Sequence, residues 1–146
     1  MPGVIAYAES SAILSWLLEE PRAQDVARVL DDATLLIASS ITGIECSRTI
    51  VRAQARGEIT RSTALALLQK FRDAESTWER MELHDAVAER ASAPFPVEPI
   101  RALDAIHVAT AVLAQERFGD VAMLSLDERV RSNAAALGLT VLPART

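Results

Sequence analysis

Apolar residues along the chain alternate between short continuous runs and runs spaced by three and four, and that alternation sets out the predicted elements. Val4 to Ala8 reads as a strand, followed by Ser10 and Ser11, either of which can cap a helix over Ala12 to Glu19. Pro21 can open a second helix to about Asp31, with positions 26, 29 and 30 as its apolar face, before TLLIAS restores strand character. A third helix is predicted from Ser40 or Thr42 to about Arg56, stopped by Gly57. Thr60 caps a fourth, whose Leu65, Leu67, Leu68 and Phe71 give it one buried face, so the third and fourth should form a hairpin. Trp78 to Leu83 alternates like a strand with one wet side, and His84 to Ala93 is helical by composition. Prolines in PFPVEP then break the chain. A long helix follows Pro99 to about Arg117, then a strand over Val121 to Leu126, a helix over Glu128 to Leu137 stopped by Gly138, and a last strand around Val141.

Strands and helices alternating in this way, with short continuous apolar strands, predict a parallel sheet covered by helices on both faces and joined by right-handed crossovers. At 146 residues the chain is expected to form one domain over 1–146, and it shows no internal repeat or long linker. Half the residues are hydrophobic and a quarter charged, ordinary globular usage. No run approaches the ~18 uninterrupted apolar residues of a spanning helix, so no membrane association is expected.

Charge narrows the function. Fifteen basic against 20 acidic residues give −5, which excludes a general nucleic-acid coat or a polybasic membrane binder, so any nucleic-acid contact must be local. Lys70 is the only lysine, which disfavours mechanisms built on a lysine nucleophile or phosphate-binding lysine. Cys46 is the only cysteine, excluding an intrachain disulfide and a multi-cysteine metal site. With no basic stretch and apolar core in the opening MPGVIAYAE, a reducing cytoplasmic setting is expected.

The informative feature is where certain acids stand, because a charge in an apolar segment is costly unless paired or bound to metal. Glu9 is the only charged residue among the first 18 and follows the first predicted strand. In an open α/β sheet the ligand crevice lies outside the carboxyl ends of the strands. Glu45 repeats this setting after the second strand, as the only charge between Leu35 and Ser47. Asp104 is the only charge between Ala102 and Ala114, in the segment LDAIHVATAVLA, apolar on all sides. Asp127 follows the strand VAMLSL. Four acids from distant segments converging on one crevice would repel one another unless hard divalent cations such as Mg²⁺ or Mn²⁺ sit between them. Taken singly, Asp127 reads first as a helix N-cap, while Glu45 can instead satisfy the N–H groups of its helix's first turn and Glu9 can pair with an arginine.

Other residues attach to this crevice more loosely. Ser11 and Ser125 are candidates to support the carboxylates or a bound water, with helix capping the alternative for Ser11. Arg48, Arg52 and Arg56 share a helix face one turn after Glu45 and could guide a phosphate backbone, or simply form a solvated stripe. His107, one turn after Asp104, lies in helix interior, where a packed, hydrogen-bonded histidine is favoured over a catalytic one. His84 reads as a strand-to-helix junction and Cys46 as a small buried thiol. Trp16 is the aromatic best placed to be exposed and to anchor a partner.

Tyr7, Ala8, Glu9, Ser10 and Ser11, then Glu45 in SSITGIE, Asp104 in LDAIHVATA, Asp127 in LSLDERV and the closing AAALGLTVLP resemble, in this order, the PIN-domain family, particularly the toxins of bacterial VapBC toxin–antitoxin pairs. The resemblance covers nearly the whole chain. It implies a Rossmannoid three-layer α/β sandwich with a five-stranded parallel sheet. It further implies a Mg²⁺-dependent endoribonuclease, with Mn²⁺ a possible substitute, that inhibits translation by cutting structured RNA such as tRNA or rRNA. Glu9, Glu45, Asp104 and Asp127 would be both the catalytic and the metal-holding residues, the partner a VapB-type antitoxin whose C-terminal segment occupies the groove near the site, and the assembly a homodimer. Glu9 stands where the family usually has aspartate, and its extra methylene shifts the carboxylate by about one bond length, comparable to the tolerance of a metal site. A catalytically weak PIN-like protein that only binds RNA or a partner is the alternative. A receiver-type phosphoacceptor is disfavoured because Lys70 lies in the fourth helix, and a haloacid-dehalogenase-like phosphatase because no D-x-D follows the first strand.

Overall fold

The structure, a computed structural model, describes residues 3–145. Its element order is β1 (Val4–Ala8), α1 (Ser10–Leu17), α2 (Ala23–Asp32), β2 (Ala33–Ser39), α3 (Ser40–Ala55), α4 (Arg61–Glu75), β3 (Glu79–Met81), α5 (Asp85–Ser92), α6 (Ala102–Phe118), β4 (Ala122–Leu124), α7 (Glu128–Ala136) and β5 (Thr140–Leu142). Five strands form one sheet in the order β3-β2-β1-β4-β5, and every pairing is parallel. The predicted α/β class with helices on both faces is therefore the observed one.

Strand alternation sorts the core into two layers. Tyr7 pairs in register with Ile37 and Met123, and all three point to one face, where Val108, Ala111 and Ala114 of α6 and Val130 and Ala134 of α7 close over them. Ala6 and Ala8 point to the other face. There Ala8 meets Ile13 and Leu17 of α1, Cys46 and Ile50 of α3, and Ala64 and Phe71 of α4, while Ala6 meets Ala12 and Val26. The small alanines on central β1 let α1 lie close against it, and fully buried Ile13 contributes about 1.5–3 kcal/mol by its burial.

Several boundaries differ from the sequence expectation. The first helix begins at Ser10, with Glu9 as its cap, and ends at Leu17 rather than Glu19. Pro21 does not open the second helix: the Ala23 N–H donates to the Glu20 carbonyl in a turn, Arg22 pairs with Asp25, and the helix starts at Ala23. The strand expected over Trp78 to Leu83 is only three residues long, because it is the sheet edge. Of its three residues only Met81 is buried, and the charged Glu79 and Glu82 on either side of it pair with Arg117 and Arg80. The strand expected over Val121 to Leu126 also shortens, to Ala122–Leu124: the Ser125 N–H still donates to the Leu142 carbonyl of β5, and the chain then turns toward α7. Gly57 and Gly138 adopt φ of 74° and 90° beyond the third and seventh helices, the left-handed stops that glycine permits. Among the described residues no helix is long and apolar enough to cross a membrane.

Candidate active site

Three of the four singled-out acids follow strands: Glu9 immediately after β1, Glu45 in the second turn of the helix that follows β2, and Asp127 three residues beyond β4. Asp104 enters from the first turn of α6.

Glu9 is 4% exposed, and its side chain caps α1: Oε2 accepts from the Ser11 N–H at 2.8 Å. Its Oε1 accepts from the hydroxyls of Ser11 and Ser125. Those two hydroxyls in turn accept from the Asp127 N–H at 3.1 and 3.0 Å, and Ser11 also from the Leu126 N–H at 2.9 Å. The two serines thus tie the acid after β1 to the turn that presents the acid after β4. The α1 N-terminus, with its unpaired N–H groups, favours a carboxylate at this place. Ser10 and Ser11 are not the caps because their hydroxyls serve Glu45 and Glu9.

A second buried chain holds Glu45. Its Oε1 accepts from the Ser10 hydroxyl at 2.8 Å and contacts Nε2 of His107, which is fully buried. His107 Nδ1 lies 2.7 Å from the Tyr7 hydroxyl. One assignment satisfies every atom: Tyr7 donates to Nδ1 and the Nε2–H donates to Glu45. Burial pushes the Tyr7 hydroxyl well above its usual range, which keeps it a donor. Burial would also raise the Glu45 carboxyl, but His107, Ser10 and the charge of Arg101 outweigh it and hold the group below the usual carboxylate range. His107 is the packed, hydrogen-bonded histidine expected of its position, and its partners aim Glu45.

Asp104 and Asp127 share a cation that the sequence alone did not point to. Arg101, the N-cap position of α6, places Nε 3.2 Å from Asp104 Oδ2 and a terminal nitrogen 3.8 Å from Asp127 Oδ2. The available signal was its spacing three residues before Asp104; its approach to Asp127 is tertiary. Asp127 also caps α7, its Oδ1 accepting from the N–H groups of Arg129 and Val130, so the capping alternative holds alongside any other role.

Among the described residues, no three His, Cys, Asp or Glu side chains lie close enough together to cage an ion as they stand. The expected convergence is thus looser than four acids on one point, because serine hydroxyls, His107 and Arg101 each take up part of the negative charge. The donors nevertheless suit a hard divalent cation. Among the described residues Glu45 Oε2 and Asp104 Oδ1 have no hydrogen-bond partner, Asp127 Oδ2 has only the distant Arg101, and Glu9 Oε2 accepts a single bond. Each carboxylate keeps lone pairs for a ligand.

The remaining candidates lie elsewhere. Arg48, Arg52 and Arg56 are exposed along α3, and Arg48 lines a cavity of about 530 Å³ with Arg72, Arg80, Ile44 and Phe71. Trp16 is half-buried rather than exposed: it packs into the core beneath α1, and Lys70 Nζ lies 4.4 Å over its ring, so it offers little of an anchor. Cys46 is fully buried in the core as expected, and burial together with Glu45 and Glu9 pushes its thiol up. His84 sits at the start of α5 without a capping bond.

Known proteins match the chain along this whole frame. A model of the PIN domain matches residues 6–137. Ribonuclease VapC35 of Mycobacterium tuberculosis, in strains CDC 1551 / Oshkosh and ATCC 25618 / H37Rv, is 34% identical over 138 residues, 93% of this chain and 94% of the relative. Ribonuclease VapC46 of strain H37Rv is 30% identical over 138 residues, covering 93% and 95%. The parallel α/β fold and these matches agree: the chain belongs to the PIN-domain family.

Proposed function

We propose that this chain is a divalent-metal-dependent endoribonuclease that hydrolyses phosphodiester bonds of structured RNA such as tRNA or rRNA, and that it is the toxin of a VapBC-type toxin–antitoxin pair acting in the cytoplasm. The observation that carries this reading is the set Glu9, Glu45, Asp104 and Asp127 at one sheet edge, each with lone pairs left for a ligand. The ribonuclease names of relatives similar along almost the whole chain support it.

The four carboxylates would hold Mg²⁺ or Mn²⁺, which when bound supplies Lewis acidity at a phosphoryl oxygen and lowers the pKa of a coordinated water. The chain's own residues do the rest. The Tyr7–His107 pair fixes the Glu45 carboxylate in orientation and charge, so that at neutral pH it only accepts hydrogen bonds and can orient the attacking water. Ser11 and Ser125 do the same for Glu9. Arg101 is 71% exposed at its side chain and free to leave Asp104 and Asp127 for an incoming phosphate, where its charge offsets the acids. The exposed Arg48, Arg52 and Arg56 would guide the strand.

The test is cleavage of total tRNA and rRNA with Mg²⁺ or Mn²⁺ by wild type and Asp104→Asn. The variant should lose more than the ~100-fold typical of outer-shell changes; equal activity would sink the reading. A second reading has one observation in its favour, the absence of a closed three-acid cage among the described residues: a catalytically weak protein that binds RNA or a partner. Calorimetry with Mn²⁺ separates the two, since a decayed site takes up no ion. A VapB-type antitoxin is the proposed partner, and a homodimer the proposed assembly, read by light scattering.

A further inference from the structure

The turn that carries Asp127 also walls a second charged feature. Leu126 and Glu128, on either side of Asp127, line a cavity of about 370 Å³ together with Arg22, Arg131 and Arg145. A smaller cavity of about 230 Å³ shares Glu128, Arg131 and Arg145. Three guanidinium groups from three distant segments therefore face one acid, in a chain whose net charge is −5.

Arg131 is the anomaly. It is 9% exposed, and among the described residues its guanidinium makes one hydrogen bond, from Nη1 to the Ser125 carbonyl at 2.8 Å, with no carboxylate within ion-pair distance. The other two are already engaged. Arg22 pairs with Asp25 at 2.7 Å and reaches the Ala144 carbonyl at 3.4 Å, and Arg145 pairs with Glu128. Burial, then the nearby charge of Arg145, pulls the Arg131 guanidinium below its usual range, with Arg22 adding to the effect and Glu128 opposing it. A buried, crowded cation with donors to spare is the arrangement that an anion relieves.

We propose that this cavity binds a backbone phosphate of RNA and seats the strand beside the carboxylate crevice. Ser125 joins the two places: its carbonyl accepts from Arg131 while its hydroxyl donates to Glu9. A polyanion approaching four carboxylates is repelled unless positive charge stands within about a Debye length, ~8 Å at physiological salt. The guanidinium forks match phosphate oxygens in pairs. The inference rests on the reading of the chain as a nuclease acting on RNA.

Fluorescence anisotropy with a fluorescein-labelled single-stranded RNA 20-mer in EDTA tests it without metal or cleavage. The variants are Arg131→Gln, the double Arg22→Ala/Arg145→Ala at more exposed positions, and the charge-matched control Arg61→Ala/Arg117→Ala, each checked by thermal melting. Both pocket variants should weaken binding by about 5- to 20-fold at 0.1 M salt and lower the log–log salt slope by ~0.7 for each phosphate no longer neutralised, with the control unchanged. A wild-type slope in the folded double variant overturns the proposal. So does a wild type that fails to bind the RNA, and if that protein still cleaves RNA the nuclease reading survives on its own. If the variants keep RNA and instead lose a labelled octaglutamate peptide, the cavity serves a peptide and the proposal falls.

Discussion

Removing a single oxygen from Tyr7 probes the buried chain that aims Glu45. Tyr7 and His107 are both fully buried, and the hydroxyl is 2.7 Å from Nδ1. Tyr7→Phe keeps the ring, its packing on Ile37 and Met123 and nearly all of its volume, so the cavity contribution is small. What is lost is one hydrogen bond, worth about 0.5–1.5 kcal/mol net, and His107 Nδ1 is left unpaired where water does not reach, which brings the cost to about 1–3 kcal/mol. For a domain of this size each kcal/mol shifts Tm by ~2–4 °C. The expected fall is therefore roughly 4–8 °C for a central cost of about 2 kcal/mol. Thermal and urea unfolding in EDTA at pH 7 measure it. The same substitution in a His107→Gln background is the sharper half of the test, because glutamine can reach Glu45 but offers nothing at the Nδ1 position. There the tyrosine hydroxyl has already lost the His107 nitrogen and keeps only Thr42 and Ser39 nearby, so removing it should cost less than in wild type. Equal costs in the two backgrounds, or a cost below ~0.5 kcal/mol in wild type, would refute the assigned bond.

Two further outcomes are expected. Glu45 is held below its usual carboxylate range, so its contribution is fully present above its unfolded pKa of about 4.3 and is lost as pH falls through its lower folded value. Wild type should thus lose more stability between pH 5 and 3 than Glu45→Gln, and parallel Tm profiles would contradict the His107 and Ser10 hydrogen bonds. Arg101→Ala should lower the metal-free Tm by only a few degrees, since the guanidinium is exposed although its partner Asp104 is largely buried and loses its counter-charge. It should, however, reach half of the Mn²⁺-induced Tm rise at a lower Mn²⁺ concentration, because guanidinium and ion would compete for Asp104 and Asp127; a higher concentration would count against that competition.

What the sequence made legible follows from the range of the interactions involved. α6 and α3 were readable nearly to the residue because helical spacing and the stop at Gly57 are local. The parallel sheet was readable because alternation of strand and helix leaves few other arrangements. β3 and β4 were expected too long, since whether an apolar or alternating residue stays in the ladder depends on a neighbouring strand, and the chain leaves it just after Ser125, whose hydroxyl serves Glu9. The placement of acids at strand ends was legible; their hydrogen-bond partners were not. Glu9 as a cap, the Tyr7–His107–Glu45 chain and the reach of Arg101 to Asp127 each depend on how the folded chain is brought together. The same holds for Arg22, Arg131 and Arg145, which look like three unrelated surface charges until the fold brings them to one cavity.

Strand β1 joins folding to function more closely than its five residues suggest. Tyr7 faces α6 while Ala6 and Ala8 face α1, and Glu9 follows at once, so a slip of one residue would turn the hydroxyl away from His107 and draw Glu9 off its serines. A slipped molecule would keep its hydrophobic bulk but hold neither acid in order. Chemistry at this edge thus acts as a proofreading signal: only chains with the correct register would be dangerous to RNA, and a misfolded toxin would be a silent one.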